Sequence, residues 1–252
     1  MNNENLIYRP FNKVFYVITL CYAAVYTLLS FILVKFDMSV RKTVLLVIGA
    51  LVIVYYFIYK YRLSRDKEYD EMYYSKVGGF TWWYELPLHL CNINMFLVPL
   101  GLLLDNRYIM GFAFFIGPVG TLMAILMPSA SFNNFSILKE RMRGYYITHF
   151  TILFNCLLLV TAGFYHPEYA DIFPIVIVGI LLSFLIFVFN MVLRKTGIAS
   201  NANYFYTVDP EENKILEFFK SKIPYSYLYL IPLFVIFVPY MYLMTFIVKI
   251  FA

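Results

Sequence analysis

Residues 172–193 read IFPIVIVGILLSFLIFVFNMVL, a run without one charged side chain. A helix of that length rises roughly 33 Å at 1.5 Å per residue, enough to cross a hydrocarbon core of about 30 Å. Six more apolar runs accompany it, at about 14–34, 43–59, 82–104, 108–127, 145–164 and 225–251. Composition agrees: of 252 residues 62% are hydrophobic and 14% charged, with a mean hydropathy of +0.72, whereas soluble domains carry about 25% charged residues. A water-soluble globular fold, a disordered chain, a fibrous repeat and a disulfide-stapled secreted scaffold are all excluded. The expectation is all-α: one polytopic domain over 1–252 with seven transmembrane helices.

The net charge of +5 does not point to nucleic acid, because the Lys and Arg residues lie dispersed between apolar runs. They read as topology signals. Fifteen fall in the N-terminal segment and in the second-to-third, fourth-to-fifth and sixth-to-seventh connections, and five on the other side. That asymmetry puts the N-terminus inside and the C-terminus outside. The opening Met1-Asn2-Asn3-Glu4 has no basic n-region and no small-residue cleavage site, so the first run is expected to be retained. Asp209-Pro210-Glu211-Glu212 reads as an N-cap, a Pro at the first helical position and a capping-box Glu. Ile215, Leu216, Phe218 and Phe219 follow on one stripe, which predicts an interfacial helix over 209–222. The stretch from Arg62 to Lys76 alternates charge with tyrosine and reads as lying along the inner surface or extending the second helix.

Polar side chains inside hydrocarbon are costly and need a partner or a task. Most cluster in the third run, where Glu85, His89, Cys91, Asn92 and Asn94 follow Trp82-Trp83-Tyr84. His149, Asn155, Cys156 and Asn190 are the main others. On a continuous helix Cys91 lies roughly 9 Å deeper than Glu85, and His149 enters from the same side to a similar depth. Cys91 is then a candidate nucleophile with His149 as its base, provided the third and fifth helices pack together. On that same helix His89 points about 160° away from Cys91. It is read as a structural partner of Glu85, and a zinc site built from His89, Cys91 and His149 is excluded unless the helix is broken. Asn92 and Asn94 are candidate oxyanion donors. Asn155 reads first as a helix-joining amide with an orienting role as its alternative, and Asn190 as a supporting residue in the Cys91 layer. Cys21 and Cys156 read as packing thiols. No metal and no cofactor is expected.

Glu85-Leu86-Pro87-Leu88-His89-Leu90-Cys91 resembles the signature of the YwaF-type bacterial integral membrane proteins. Gly117, Gly120-Thr121, Ala124 and Pro128 resemble that family's fourth-span pattern. Thr148-His149 stands where it carries Ser-His, Asn201-Ala202-Asn203-Tyr204 matches its Asn-x-Asn-Tyr loop, and Ile223-Pro224-Tyr225 with Tyr227 resembles its last span's opening. The likeness covers about 82–242. The group is similar to eukaryotic transmembrane protein 164, an acyltransferase that moves an acyl chain from a phospholipid to a lysolipid. The resemblance therefore implies Cys91 as nucleophile and His149 as base, membrane phospholipid as substrate, a bacterial cell membrane, and Asn203 and Tyr204 folded toward the site. Phe150, Asn92 and the missing acidic residue after Pro128 depart from the family pattern. Two other functions fit the residues: a transporter or small-molecule-binding protein with a polar inner-leaflet cavity, and a non-enzymatic membrane assembly factor.

Overall fold

The computed structural model describes residues 6–74, 79–128, 135–211 and 213–251. Among them the chain is helical, with one isolated backbone bridge between Ile7 and Ser136 and no strand. The helices are α1 (Lys13–Leu33), α2 (Met38–Leu63), α3 (Lys67–Tyr74), α4 (Leu90–Leu104), α5 (Arg107–Leu126), α6 (Glu140–Thr161), α7 (Ile172–Lys195), α8 (Lys214–Lys222) and α9 (Ile231–Phe251). Local chemistry sets several starts. The side chains of Asn12, Asn106 and Asn213 accept backbone N–H bonds that α1, α5 and α8 would otherwise leave orphaned. Asp105, in the left-handed region at φ 48°, closes α4, and Asn106 N–H then reaches the Gly101 carbonyl at 3.0 Å.

Six helices are long and apolar enough to cross a membrane: α1, α2, α5, α6, and α7 and α9 with their short 3-10 leaders. The chain is a multi-pass membrane protein. α4 holds 15 residues, roughly 22 Å of helix against a hydrocarbon core of about 30 Å. It nevertheless lies at the centre of the bundle, packed on α2, α5 and α6. Its first turn sits beside Gly120 near the end of α5, and its last turn meets Met110 near the start of α5. Close helix approach depends on small residues at two places. A Cβ on Gly117 would stand 2.5 Å from Cys156 Sγ, and one on Gly144 would enter the Tyr59 ring.

The third apolar run differs from the sequence reading. It is not one helix over 82–104. A 3-10 turn at Trp82–Tyr84 is followed by non-helical backbone to His89, which is extended at φ −73°, ψ 152°, and the α-helix begins only at Leu90. Pro87 accounts for the break, since its ring disfavours the helical region for Leu86 and it offers no N–H. Pro99 lies inside α4, which runs on past it. Two smaller differences follow the same kind of rule. The stretch from Arg62 contains α3, whose Tyr69 and Tyr74 turn inward and are buried. The helix expected from 209 begins at Lys214 behind Asn213, because the Asp209 carboxylate is taken by Arg194 and Lys220. Glu212, the expected capping-box residue, and residues 75–78 lie outside the described part.

Candidate functional site

The broken segment before α4 is clamped from two directions. On one side the buried Glu85 carboxylate is bonded to Lys60, to the Tyr74 hydroxyl and, at 2.8 Å, to the Tyr69 hydroxyl, while the Glu85 carbonyl accepts from Tyr56 at 2.8 Å. Lys60 also lies over the rings of Tyr56 and Tyr59, at 5.7 and 5.2 Å.

On the other side stands Tyr204. Its hydroxyl donates to the Trp83 carbonyl at 2.7 Å and accepts from Leu86 N–H at 3.0 Å. Asn190 of α7 grips the backbone of Tyr204: its amide donates to the Tyr204 carbonyl and to Thr207, both at 2.8 Å, and its oxygen accepts from Tyr204 N–H at 3.0 Å. Asn203 closes the same loop, accepting from Val208 and Asp209 N–H and donating to the Asp209 carbonyl and Glu211. The clamp leaves His89 as the cap residue of α4, its ring 5.3 Å from that of Tyr204 and 5.6 Å from that of Tyr206.

Cys91 therefore sits in the first turn of α4, partly exposed, with its backbone N–H outside the helix ladder. A helix N-terminus carries a positive field that acts on an anion placed there. His149, in the third turn of α6, is 3% exposed. Its Nδ1 is 2.7 Å from the Tyr145 carbonyl, and its ring lies 4.1 Å from that of Tyr145. A carbonyl only accepts, so Nδ1 carries the proton and Nε2 keeps a lone pair. Nε2 is buried with no hydrogen-bond partner. Cys91 and His149 are not hydrogen-bonded to each other. The helices that carry them, α4 and α6, pack together.

The asparagines divide. Asn94 spends its amide on the Leu90 carbonyl at 2.7 Å and presents a buried, unpartnered oxygen, as Asn92 also does. Neither amide atom of the buried Asn155 has a partner. Among the described residues no group of three His, Cys, Asp or Glu side chains is placed to hold a metal.

The sequence model of the TMEM164 family matches residues 9–245. The chain belongs to the TMEM164 family. Curated proteins and solved structures give no match. The fold sets the start of α4 beside Gly120 and ties the segment before it to Tyr204, while α6, which carries His149, packs on α4. The angular argument that set His89 on the face opposite Cys91 does not hold, because the backbone there is extended rather than helical. His89 instead faces Tyr204 and Tyr206, and Glu85 is bonded to Lys60 and two tyrosines rather than to His89. Lys60, Tyr69 and Tyr74 were missed by sequence reasoning. Lys60 was counted among the loop cations, and the tyrosines were read as surface residues. A signal was present: a Glu in an apolar run needs a cation, and Lys60 is one of the five on the same side between the second and third runs.

Proposed function

We propose that this member of the TMEM164 family is a membrane acyltransferase that carries a fatty acyl chain from a phospholipid to a lipid acceptor through a thioester on Cys91. The observation that carries the reading is His149: a neutral imidazole with its proton fixed on Nδ1 and a bare, buried Nε2 in the layer of a thiol at a helix N-terminus. His149 takes the thiol proton as sulfur attacks the ester carbonyl. The resulting oxyanion is met by the first-turn N–H groups of α4 and by Asn92, while Asn94 and Asn155 orient the polar end of the lipid. The carbon–oxygen bond to the lysolipid breaks as His149 returns its proton to the leaving oxygen. The acceptor hydroxyl then attacks the thioester, its proton passes to His149, and the thiol is regenerated. Glu85, His89, Asn190, Asn203 and Tyr204 keep the first turn of α4 in place. No cofactor enters any step.

The reading places the chain in the YwaF-type bacterial branch and in the cell membrane. It counts α4, with the extended residues before it, as a seventh crossing, with the N-terminus inside and the C-terminus outside. Intact-protein mass spectrometry on detergent-purified protein incubated with mixed phospholipids tests the chemistry. Wild type should gain a hydroxylamine-labile acyl increment that Cys91→Ser lacks and His149→Gln accumulates far more slowly. If wild type gains no adduct and turns over no lipid, the polar groups around Asn155 belong to a binding or transport site instead.

A further inference from the structure

At the start of α6, eight residues before His149, a guanidinium is buried with no anion bonded to it among the described residues. Arg141 is 4% exposed. Its Nη1 lies 3.0 Å from the sulfur of Met72 and its plane 3.3 Å from the Phe135 ring centre, while Nε and Nη2 are buried with no partner. The neighbouring cations are all matched: Lys139 by Glu68, and Arg143 and Arg62 by Glu140. A buried charge left unpaired costs several kcal/mol. The chain shows what the free edge is suited to hold. At the opposite end of the bundle Arg107 uses the same pair of nitrogens, Nε at 2.6 Å and Nη2 at 2.8 Å, to take both oxygens of Asp171. A planar two-donor fork matches two oxygens of a carboxylate or phosphate. Lys139, the cap residue of α6, gives no side-chain bond to the helix start, so the positive end of the helix adds to the same field.

We propose that Arg141 is the base of a phosphate-binding site whose Nε and Nη2 take two oxygens of a membrane lipid's phosphodiester. That this lipid is the acyl donor rests on the acyl-transfer reading; the oxyanion site does not. Both nitrogens lie beneath the surface, so the ligand has to displace the Phe135 ring that covers the guanidinium.

The test uses the full chain in detergent micelles, titrated separately with dihexanoylphosphatidylcholine, inorganic phosphate and dihexanoylglycerol. Two signals are followed: the unfolding midpoint, and phenylglyoxal modification of Arg141 located by peptide mass spectrometry. The phosphodiester lipid should raise the midpoint saturably and protect Arg141, and the phosphate-free diacylglycerol should do neither. Arg141→Gln should weaken that lipid response by roughly tenfold or more, the loss of a charge-assisted bond, while raising the midpoint measured without lipid. Arg141→Lys should retain part of the response, and Phe135→Ala should speed phenylglyoxal attack. Equal midpoint responses in wild type and Arg141→Gln, or no protection by either phosphate compound, would overturn the site. Protection by inorganic phosphate as strong as by the lipid would overturn the lipid source. The same titration on Cys91→Ser separates the two readings, since binding there does not depend on acyl transfer.

Discussion

Removing Lys60 should cost more than removing both Lys60 and Glu85. The two side chains are 13% and 8% exposed, so each charge depends on the other in a poorly solvated place. Breaking a buried pair by deleting one partner costs about 3–5 kcal/mol, because the surviving charge stays buried, while replacing both by apolar groups is often close to neutral. Lys60→Met leaves the Glu85 carboxylate with Tyr69 and Tyr74 as its only donors among the described residues. The expected cost is about 3 kcal/mol. Lys60→Met with Glu85→Leu should recover at least about 1 kcal/mol of it. Unfolding in mixed micelles titrated with sodium dodecyl sulfate gives the difference, and Trp82 and Trp83, the only tryptophans in the chain, report on the segment itself. A double variant as unstable as Lys60→Met alone, or more so, would refute the reasoning.

Tyr204→Phe deletes the hydroxyl shared by the Trp83 carbonyl and Leu86 N–H; it should cost about 1–3 kcal/mol in the same unfolding assay and alter the rate of maleimide labelling at Cys91, whereas unchanged labelling would mean that the clamp does not set the start of α4. Gly117→Ala pushes a methyl group to 2.5 Å from Cys156 Sγ and should cost about 1–3 kcal/mol, most of it recovered when Cys156→Ala is added; additive costs would show that the α5–α6 contact is looser than drawn. Protease-accessible tags at the two ends should report opposite sides of the membrane if α4 completes a crossing, and the same side if only the six long helices cross.

The membrane class was legible because it depends on sums, and sums over twenty residues forgive local error. The long helices near 14–34, 108–127 and 172–193 come within a residue or two of α1, α5 and α7 for that reason. Where the reading went wrong, the deciding quantity was a single backbone angle. Two prolines stand in the third run, Pro87 and Pro99, and the chain leaves the helix at the first and runs helical through the second. Nothing in the hydropathy separates them. What separates them is tertiary: the Pro99 ring packs against Gly49 of α2, where there is room for it, while the residues around Pro87 find side-chain partners in Tyr204, Tyr56 and Lys60 for the backbone and carboxylate groups that leaving the helix exposes. Those partners come from 25 residues upstream and 118 residues downstream, a distance over which a one-dimensional reading has no means of matching them.

The break also explains why the candidate nucleophile is placed where it is. On an unbroken helix starting at Trp82, Cys91 would be an interior residue. Its N–H would be tied to the carbonyl four residues earlier, and its thiol would meet only apolar neighbours. Ending the extended segment at His89 gives α4 a fresh N-terminus two residues before the sulfur, where the His89 carbonyl takes the Asn92 and Ile93 N–H groups and those of Leu90 and Cys91 stay outside the helix ladder. In a bundle core with little water, such backbone donors are among the few sources of positive field that bring no charged side chain into hydrocarbon. The Glu85–Lys60 pair and the Tyr204 strut fit the same account: hydrogen bonds from α2 and from the loop after α7 hold the segment that sets this helix start.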